Sequence, residues 1–448
     1  MTISEHIRTN FFLAYPVMLS MLGQVMTGVA DSVMIGQTGA TPLAAASLAN
    51  VIFILLLTFG IGVSYAITPL VAEADGRNDK HQVIESLRHG YVINLVSGFI
   101  LVIIGFAVTP VLHILNQPAD VVDLTIPYLH IILLGIFPTM VFQTFRQFGE
   151  GLHRTRMAMI IVITSNLVNI FLNYVLIYGE LGFPELGLNG AGWATLIART
   201  LMGIWMALYI YYGKSFASYR PGFLFGNYSR KLINRMLHIG IPAGIQFIFE
   251  VSAFGFSAIM MGWLGTTALA AHQIAINLAT ISYMTTSGLG AAATIRVGSY
   301  LGQKNVSMLR HAGFTLMGMG ALLMAVWGIV FIVARYRLPA LYIDNPEVIA
   351  MAGPLLIIAG LFQLSDGMQV VCIGALRGIQ DVKIPSLLIF VAYWVIGLPL
   401  GYLLGFPLQL GANGIWSGLL IGLTITALAM FFRFNRLTKN LFTGKSAD

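Results

Sequence analysis

Charge is what this 448-residue chain has least of. Asp, Glu, Lys and Arg together make up 9% of it, against roughly 25% in a soluble domain. Water therefore cannot be the main solvent of its surface. Cysteine is nearly missing: Cys372 is the only one, which excludes an intrachain disulfide. The histidines are scattered and show no zinc-ligand spacing. His272 lies inside an apolar run, and it reads as a helix-contact residue rather than a ligand. There is no Walker A sequence, so the chain does not itself bind ATP through that motif. No nucleophile–base pair or metal cluster is present, so an enzyme, even one working inside the membrane, is not expected. The net charge of +7 does not indicate nucleic acid, because the basic residues sit between apolar runs and form no block or finger motif.

What the chain does have is apolar length. Apolar residues make up 57% of it, in recurring runs of about 20 residues, each able to cross a bilayer core as a helix. These are not the roughly 10-residue alternating strands of an outer-membrane barrel. The 48 glycines suit membrane helices that approach closely. Twelve spans are read: 11–36, 43–72, 89–113, 124–148, 157–178, 190–213, 236–263, 267–297, 311–335, 348–374, 384–405 and 411–434. The run beginning at Phe11 has the position of a signal peptide, but it has a counterpart later in the chain and is taken as a span. The longest polar interval, 214–235, contains Tyr219, Arg220, Pro221, Gly222, Asn227 and Lys231, which is linker chemistry. The expected fold is an all-α integral membrane protein of twelve transmembrane helices. They form two pseudo-symmetric six-helix lobes, 1–213 and 236–448, joined by a cytoplasmic linker at 214–235 and arranged around a central cleft.

Lys and Arg set the orientation. With the N-terminus, the even-numbered loops and the C-terminus on one side, that side receives 21 of the 24 basic residues. The other side receives Arg335 and Arg337, and Arg199 alone is read as lying inside a span. Both termini are therefore expected in the cytoplasm. The halves also repeat. MIGQTGATPLAAASLA at 34–49 aligns with MMGWLGTTALAAHQIA at 260–275, at a constant offset of 226. The same offset pairs Pro16 with Pro242. Leu87-Arg88-His89 resembles Leu309-Arg310-His311 after a small shift, and Gly187, Asn189 and Gly190 pair with Gly411, Asn413 and Gly414. Six spans per half give both halves the same orientation, a parallel repeat about an axis along the membrane normal. Transporters of that design keep their substrate between the halves and rock them.

Three acids lie well inside spans: Asp31, Glu250 and Asp366. Each costs about 2.5–3.5 kcal/mol to bury at bilayer depth on insertion scales, so each marks a functional site. Glu150 lies at a span end beside Arg146, Arg154 and Arg156, and a plain salt bridge is its expected role. Asn169 and Asn173 share one face of span five, where their carbonyls could serve a cation or a protonated acid, or simply bond a neighbouring helix. Gln246 lies one turn before Glu250. Gln24 is the repeat equivalent of Glu250, and Ser257 that of Asp31, so the acids are not duplicated. Gln24, Gln246 and Gln273 are candidate polar residues of a substrate cleft. Pro16 and Pro242 each remove a helix bond early in the first span of their half, which makes them candidate hinges.

Four stretches carry a family resemblance: GVADSVMIGQTGATPLAAASLAN, EGLHRTRMAM, LGTTALAAHQIAIN and SDGMQVVCIGALRGIQDVKIP. With them the chain resembles, over essentially its full length, the multidrug and toxic compound extrusion (MATE) transporters. The resemblance implies two six-helix lobes around a cleft and export of organic cations (drugs, dyes, fluoroquinolone-like compounds) in exchange for Na⁺ or H⁺. It implies a multi-pass protein of the inner membrane, a monomer, with no cofactor beyond the coupling ion. Glu250 and Asp366 stand where the bacterial norfloxacin-pump subgroup has its second-lobe cation or proton site, so that site is where Na⁺ or H⁺ would bind. Asp31, Asn169 and Asn173 match the first-lobe polar cluster. Phe362 departs from the pattern, standing where some relatives carry a tyrosine. The alternative is a flippase for lipid-linked saccharide or peptidoglycan precursors. Its cleft should present basic residues to phosphates, and Arg199 alone supplies few.

Overall fold

The computed structural model describes residues 3–114, 118–219 and 226–443. Apolar runs without interior polar breaks leave each backbone group only its own helix for hydrogen bonding, and among the described residues helix is the only regular secondary structure. The helices of the first half are α1 (Ile3–Gly36), α2 (Ala40–Ser64), α3 (Ile67–Gly76), α4 (Lys80–Val108), α5 (Ala119–Leu134), α6 (Ile136–Gly151), α7 (Arg156–Tyr178) and α8 (Gly187–Tyr212). Those of the second are α9 (Arg230–Trp263), α10 (Thr266–Gly302), α11 (Val306–Val333), α12 (Arg337–Ala340), α13 (Pro346–Gly378), α14 (Lys383–Phe390), α15 (Leu398–Gly405) and α16 (Gly411–Thr443). Taking α2 with α3, α5 with α6, and α14 with α15 as single rods, eleven are long and apolar enough to cross a membrane. The twelfth span is α10, 37 residues long and more polar because it carries His272, Gln273, Asn277 and Arg296.

The linker is shorter than its composition suggests. Lys214–Tyr219 is a 3-10 helix and α9 already starts at Arg230; Arg220, Pro221 and Gly222 lie outside the described residues. The rods break where a proline withholds its N–H from the carbonyl four residues earlier. Pro69 does this at Tyr65, between α2 and α3, and Pro138 at Leu134, between α5 and α6. Pro399 does it at Val395, inside a π-helical stretch, Val391–Gly397. Pro16 and Pro242 lie inside α1 and α9 without interrupting either helix.

The internal repeat is visible atom by atom. Asp79 caps α4 by accepting the Gln82 N–H, and Asn305 caps α11 by accepting the Met308 N–H, both at 3.0 Å. The residue before each cap is left-handed, Asn78 at φ 58° and Lys304 at φ 56°. Thr68 Oγ1 contacts Gln147 at its side-chain Oε1 and, at 3.1 Å, its backbone carbonyl, and Thr294 Oγ1 donates to the Gly374 carbonyl at 2.9 Å. Gly39 and Gly265, 226 apart, turn the chain at φ 134° and 114°, values L side chains rarely adopt. Since the caps set the register of α4 against α11 at 226, the Leu-Arg-His tripeptides, 222 apart, sit one helical turn out of register. Val96, Ile100 and Ile103 on α4 are exposed, as are Leu322, Val326 and Ile329 on α11, the face such rods turn to lipid.

Packing divides the chain into two compact units. One is Leu19–Gly244; the other is Met1–Met18 with Ile245–Asp448. The dividing residues, Met18 and Gly244, are again 226 apart. The sequence repeat separates 1–213 from 236–448; packing instead assigns the start of α1 to the later unit and the start of α9 to the earlier one. In the later unit α10 and α13 touch backbone to backbone at Gly290 and Gly374, where a Cβ on Gly374 would collide with the Gly290 carbonyl.

Candidate functional site

In the unit Leu19–Gly244, α1 and α7 meet along a polar seam. Gly23, Thr27 and Asp31 are four apart on α1; Asn166, Asn169 and Asn173 are three and four apart on α7, so each set occupies one helix face. Asn166 Nδ2 donates to the Gly23 carbonyl at 2.6 Å, and Thr27 donates to Asn166 Oδ1. Further along, Asn173 Nδ2 donates to Asp31 Oδ1 at 2.6 Å. From α8, Thr195 Oγ1 donates to Asp31 Oδ2 at 3.3 Å, and it accepts from Asn169 Nδ2 at 3.3 Å. Asn173 Oδ1 is buried with no partner. The predicted trio Asp31, Asn169 and Asn173 is thus brought together. Thr195 joins it, and Asn166 and Thr27 extend it. Carboxylate, amide and hydroxyl oxygens are ligands for a small hard cation. An amide beside a carboxyl can also donate to the anion or accept from the acid.

A second constellation lies in the other unit. Gln369 Nε2, on α13, donates to Glu250 Oε1, on α9, at 2.9 Å. Tyr393, in the π-helical stretch, donates to Gln369 Oε1 at 3.2 Å. Asp366 lies one turn before Gln369 on α13, is 8% exposed like Glu250, and is close enough for the two carboxyls to interact electrostatically. Gln246 is buried one turn before Glu250, its Oε1 unpartnered, and both polar atoms of Gln363, one turn before Asp366, are unpartnered as well. Glu250 and Asp366 are therefore both buried in one polar region of this unit, with Gln246 one turn from Glu250. Gln369 and Tyr393 are the residues sequence reasoning missed. Gln369 stands three after Asp366, a spacing that could have flagged it; Tyr393 is placed by the widened turn ahead of Pro399, which no local pattern announces.

The remaining candidates fall elsewhere. Arg146 Nε donates to Glu150 Oε1 at 2.7 Å, the expected salt bridge. Arg146 is only 1% exposed, and its i,i+4 carboxylate partner lets the guanidinium be buried. Gln24 is half-buried in one unit. Gln273 is in the other, exposed and donating to Asn277 on its own helix at 3.2 Å. His272 accepts the Trp416 indole N–H at 3.1 Å, a helix contact. Phe362 is buried and stacks on the same indole, with centroids 5.7 Å apart.

The chain as a whole is similar to known proteins. The MatE family model matches residues 16–175 and 242–403, two segments whose starts are again Pro16 and Pro242. A probable multidrug resistance protein NorM of Rhizobium meliloti is 36% identical, over 99% of this chain and 96% of its own. The multidrug resistance protein MdtK of Yersinia pseudotuberculosis is 35% identical, over 96% of each. A crystal structure of MATE in the bent conformation has the same fold, with TM-score 0.90 at 20% identity over 98% of this chain and 97% of that one. The repeat, the span count and these matches agree: the chain is a multi-pass membrane protein belonging to the MatE family.

Proposed function

We propose that this chain is a secondary multidrug exporter, antiporting lipophilic organic cations against Na⁺ or H⁺ by alternating access. It works as a monomer in the inner membrane, with both termini in the cytoplasm. The observation that carries the reading is the pair Glu250 and Asp366: two buried carboxyls, neither in an ion pair among the described residues. Arg377 acts on Glu250 without an ion-pair contact, and a carboxylate in a low-dielectric interior with no paired base favours a cation. A coupling ion and an organic cation both answer that demand, and competition between them gives exchange. Each unit charge moved through 100 mV contributes ~2.3 kcal/mol to uphill export. The names of the relatives, multidrug resistance proteins, support the same substrate class.

The test is efflux of a cationic dye from proteoliposomes, with a Na⁺ gradient or a pH gradient imposed separately. One gradient should drive the wild type, and Glu250→Gln and Asp366→Asn should each abolish the driven component. Because the two carboxyls act as a unit, the double variant should be little worse than either single one. Wild-type rates in either single variant would refute the shared site.

A further inference from the structure

Arg199 has no place in the coupling chemistry above, yet it lies beside it. On α8 it follows Thr195 by one turn, and Thr195 donates to Asp31. Its guanidinium carbon stands 4.4 Å from the centroid of the Phe53 ring on α2. Its Nη1 is buried with no hydrogen-bond partner. Room for the group comes from Gly135, at the break between α5 and α6, where a Cβ would come within 3.1 Å of Nη1. Arg199 and Asp31 interact electrostatically, but among the described residues neither belongs to an ion pair. A cation and an anion thus lie near one another, both half-buried, without forming an ion pair: the carboxylate is held by Asn173 and Thr195, the guanidinium by an aromatic face.

We infer that Arg199 is an internal counter-ion of the Asp31 site, held on Phe53 when the site is loaded and drawn toward Asp31 when it empties. This rests on the reading of Asp31 as part of a coupling site. Guanidinium stays charged at any working pH, so its position is what changes, not its protonation. Its long stem can reposition the head while the backbone stays fixed. A loaded Asp31 carries no net negative charge to attract it, and the ring of Phe53 is then its better seat. An emptied Asp31 is a half-buried anion held only by neutral donors, and a charge-assisted hydrogen bond is stronger than a cation–π contact. Arg199 would so compete with the coupling ion, keep its affinity low enough for release, and spare the empty site an unpaired charge.

The experiment measures dye efflux in proteoliposomes against the concentration of the driving cation, separating the half-saturation point from the maximal rate. Arg199→Gln removes the competitor. It should lower the half-saturation concentration about fivefold or more, the lower end of typical coupling between sites, and slow the maximal rate. Arg199→Lys keeps the charge and should restore the half-saturation point. Phe53→Leu removes the aromatic seat, frees the guanidinium for Asp31 and should shift the half-saturation point the opposite way. In an Asp31→Asn background the Arg199→Gln shift should vanish. The proposal is overturned by an unchanged half-saturation point in Arg199→Gln, by equal effects of Gln and Lys, or by a shift that persists without Asp31. If Arg199→Gln fails to reach the membrane, Phe53→Leu decides alone, and a lower or unchanged half-saturation point in it overturns the idea. An Asp31→Asn variant with wild-type ion dependence would instead sink the first-lobe coupling site itself.

Discussion

At the residue scale, a buried carboxyl inside a membrane helix must be answered by something, and what answers it defines its work. Asp31 is answered by an amide and a hydroxyl, Asn173 and Thr195, rather than by a base. Either protonation state can be satisfied there, because the Asn173 amide offers a donor and an unpartnered acceptor. If export turns on the charge of that group, Asp31→Asn should weaken dye efflux and flatten its pH profile, while Asn173→Ala should move the profile without removing it. A pH series in vesicles checks both, and an unaltered profile in Asp31→Asn would leave Asp31 only a structural hydrogen-bonding role. The acids were legible in the sequence because charge at bilayer depth is costly enough to stand out. Thr195, Gln369 and Tyr393 were not, since uncharged polar residues are common between membrane helices and only the packing of α8, α13 and the π-helical stretch says which of them reach a carboxyl. The spacing of Arg146 from Glu150 shows the pair in the sequence but not how deeply the protein buries it.

At the scale of the element, the same local rules act twice. Each half enters its third rod through a left-handed residue and an Asx cap, Asn78-Asp79 in one and Lys304-Asn305 in the other. Replacing such a cap by alanine costs about 0.5–2 kcal/mol. Asp79→Ala and Asn305→Ala should therefore each lower thermal stability in detergent by a similar amount. The caps sit in different packing units, so the double variant should lose the sum. No loss in either would mean that the flanking loops hold the helix starts unaided. Span positions were legible because twenty apolar residues permit little else. The breaks at Tyr65, Leu134 and Val395 were not, although Pro69, Pro138 and Pro399 stand in the sequence. Pro16 and Pro242 are embedded in unbroken helices, and whether neighbouring groups compensate a missing N–H is decided by packing.

At the scale of the whole molecule, the offset of 226 that links two sequence motifs also links the helix caps, the turn glycines, the packing boundaries and the two family matches. A repeat this consistent, with six spans in each copy, requires both halves to enter the membrane from the same side. The 21 basic residues assigned to one face then predict that the chain between α8 and α9 faces the cytoplasm. With Cys372→Ser as background, an impermeant maleimide applied to intact cells should label Glu180→Cys and spare Ser218→Cys; the reverse pattern would invert the topology. Two lobes built alike but charged differently, with Asp31 in one and Glu250 and Asp366 in the other, suit a machine that trades one cation for another. Exchange itself is the central claim, and its most direct test runs the machine backwards. Proteoliposomes with no ion gradient are given a gradient of cationic dye, and internal Na⁺ and pH are recorded together. Dye movement should drive one of those two ions in the opposite direction, and Glu250→Gln should stop the ion. Dye crossing the membrane with neither ion moving against it would contradict the account.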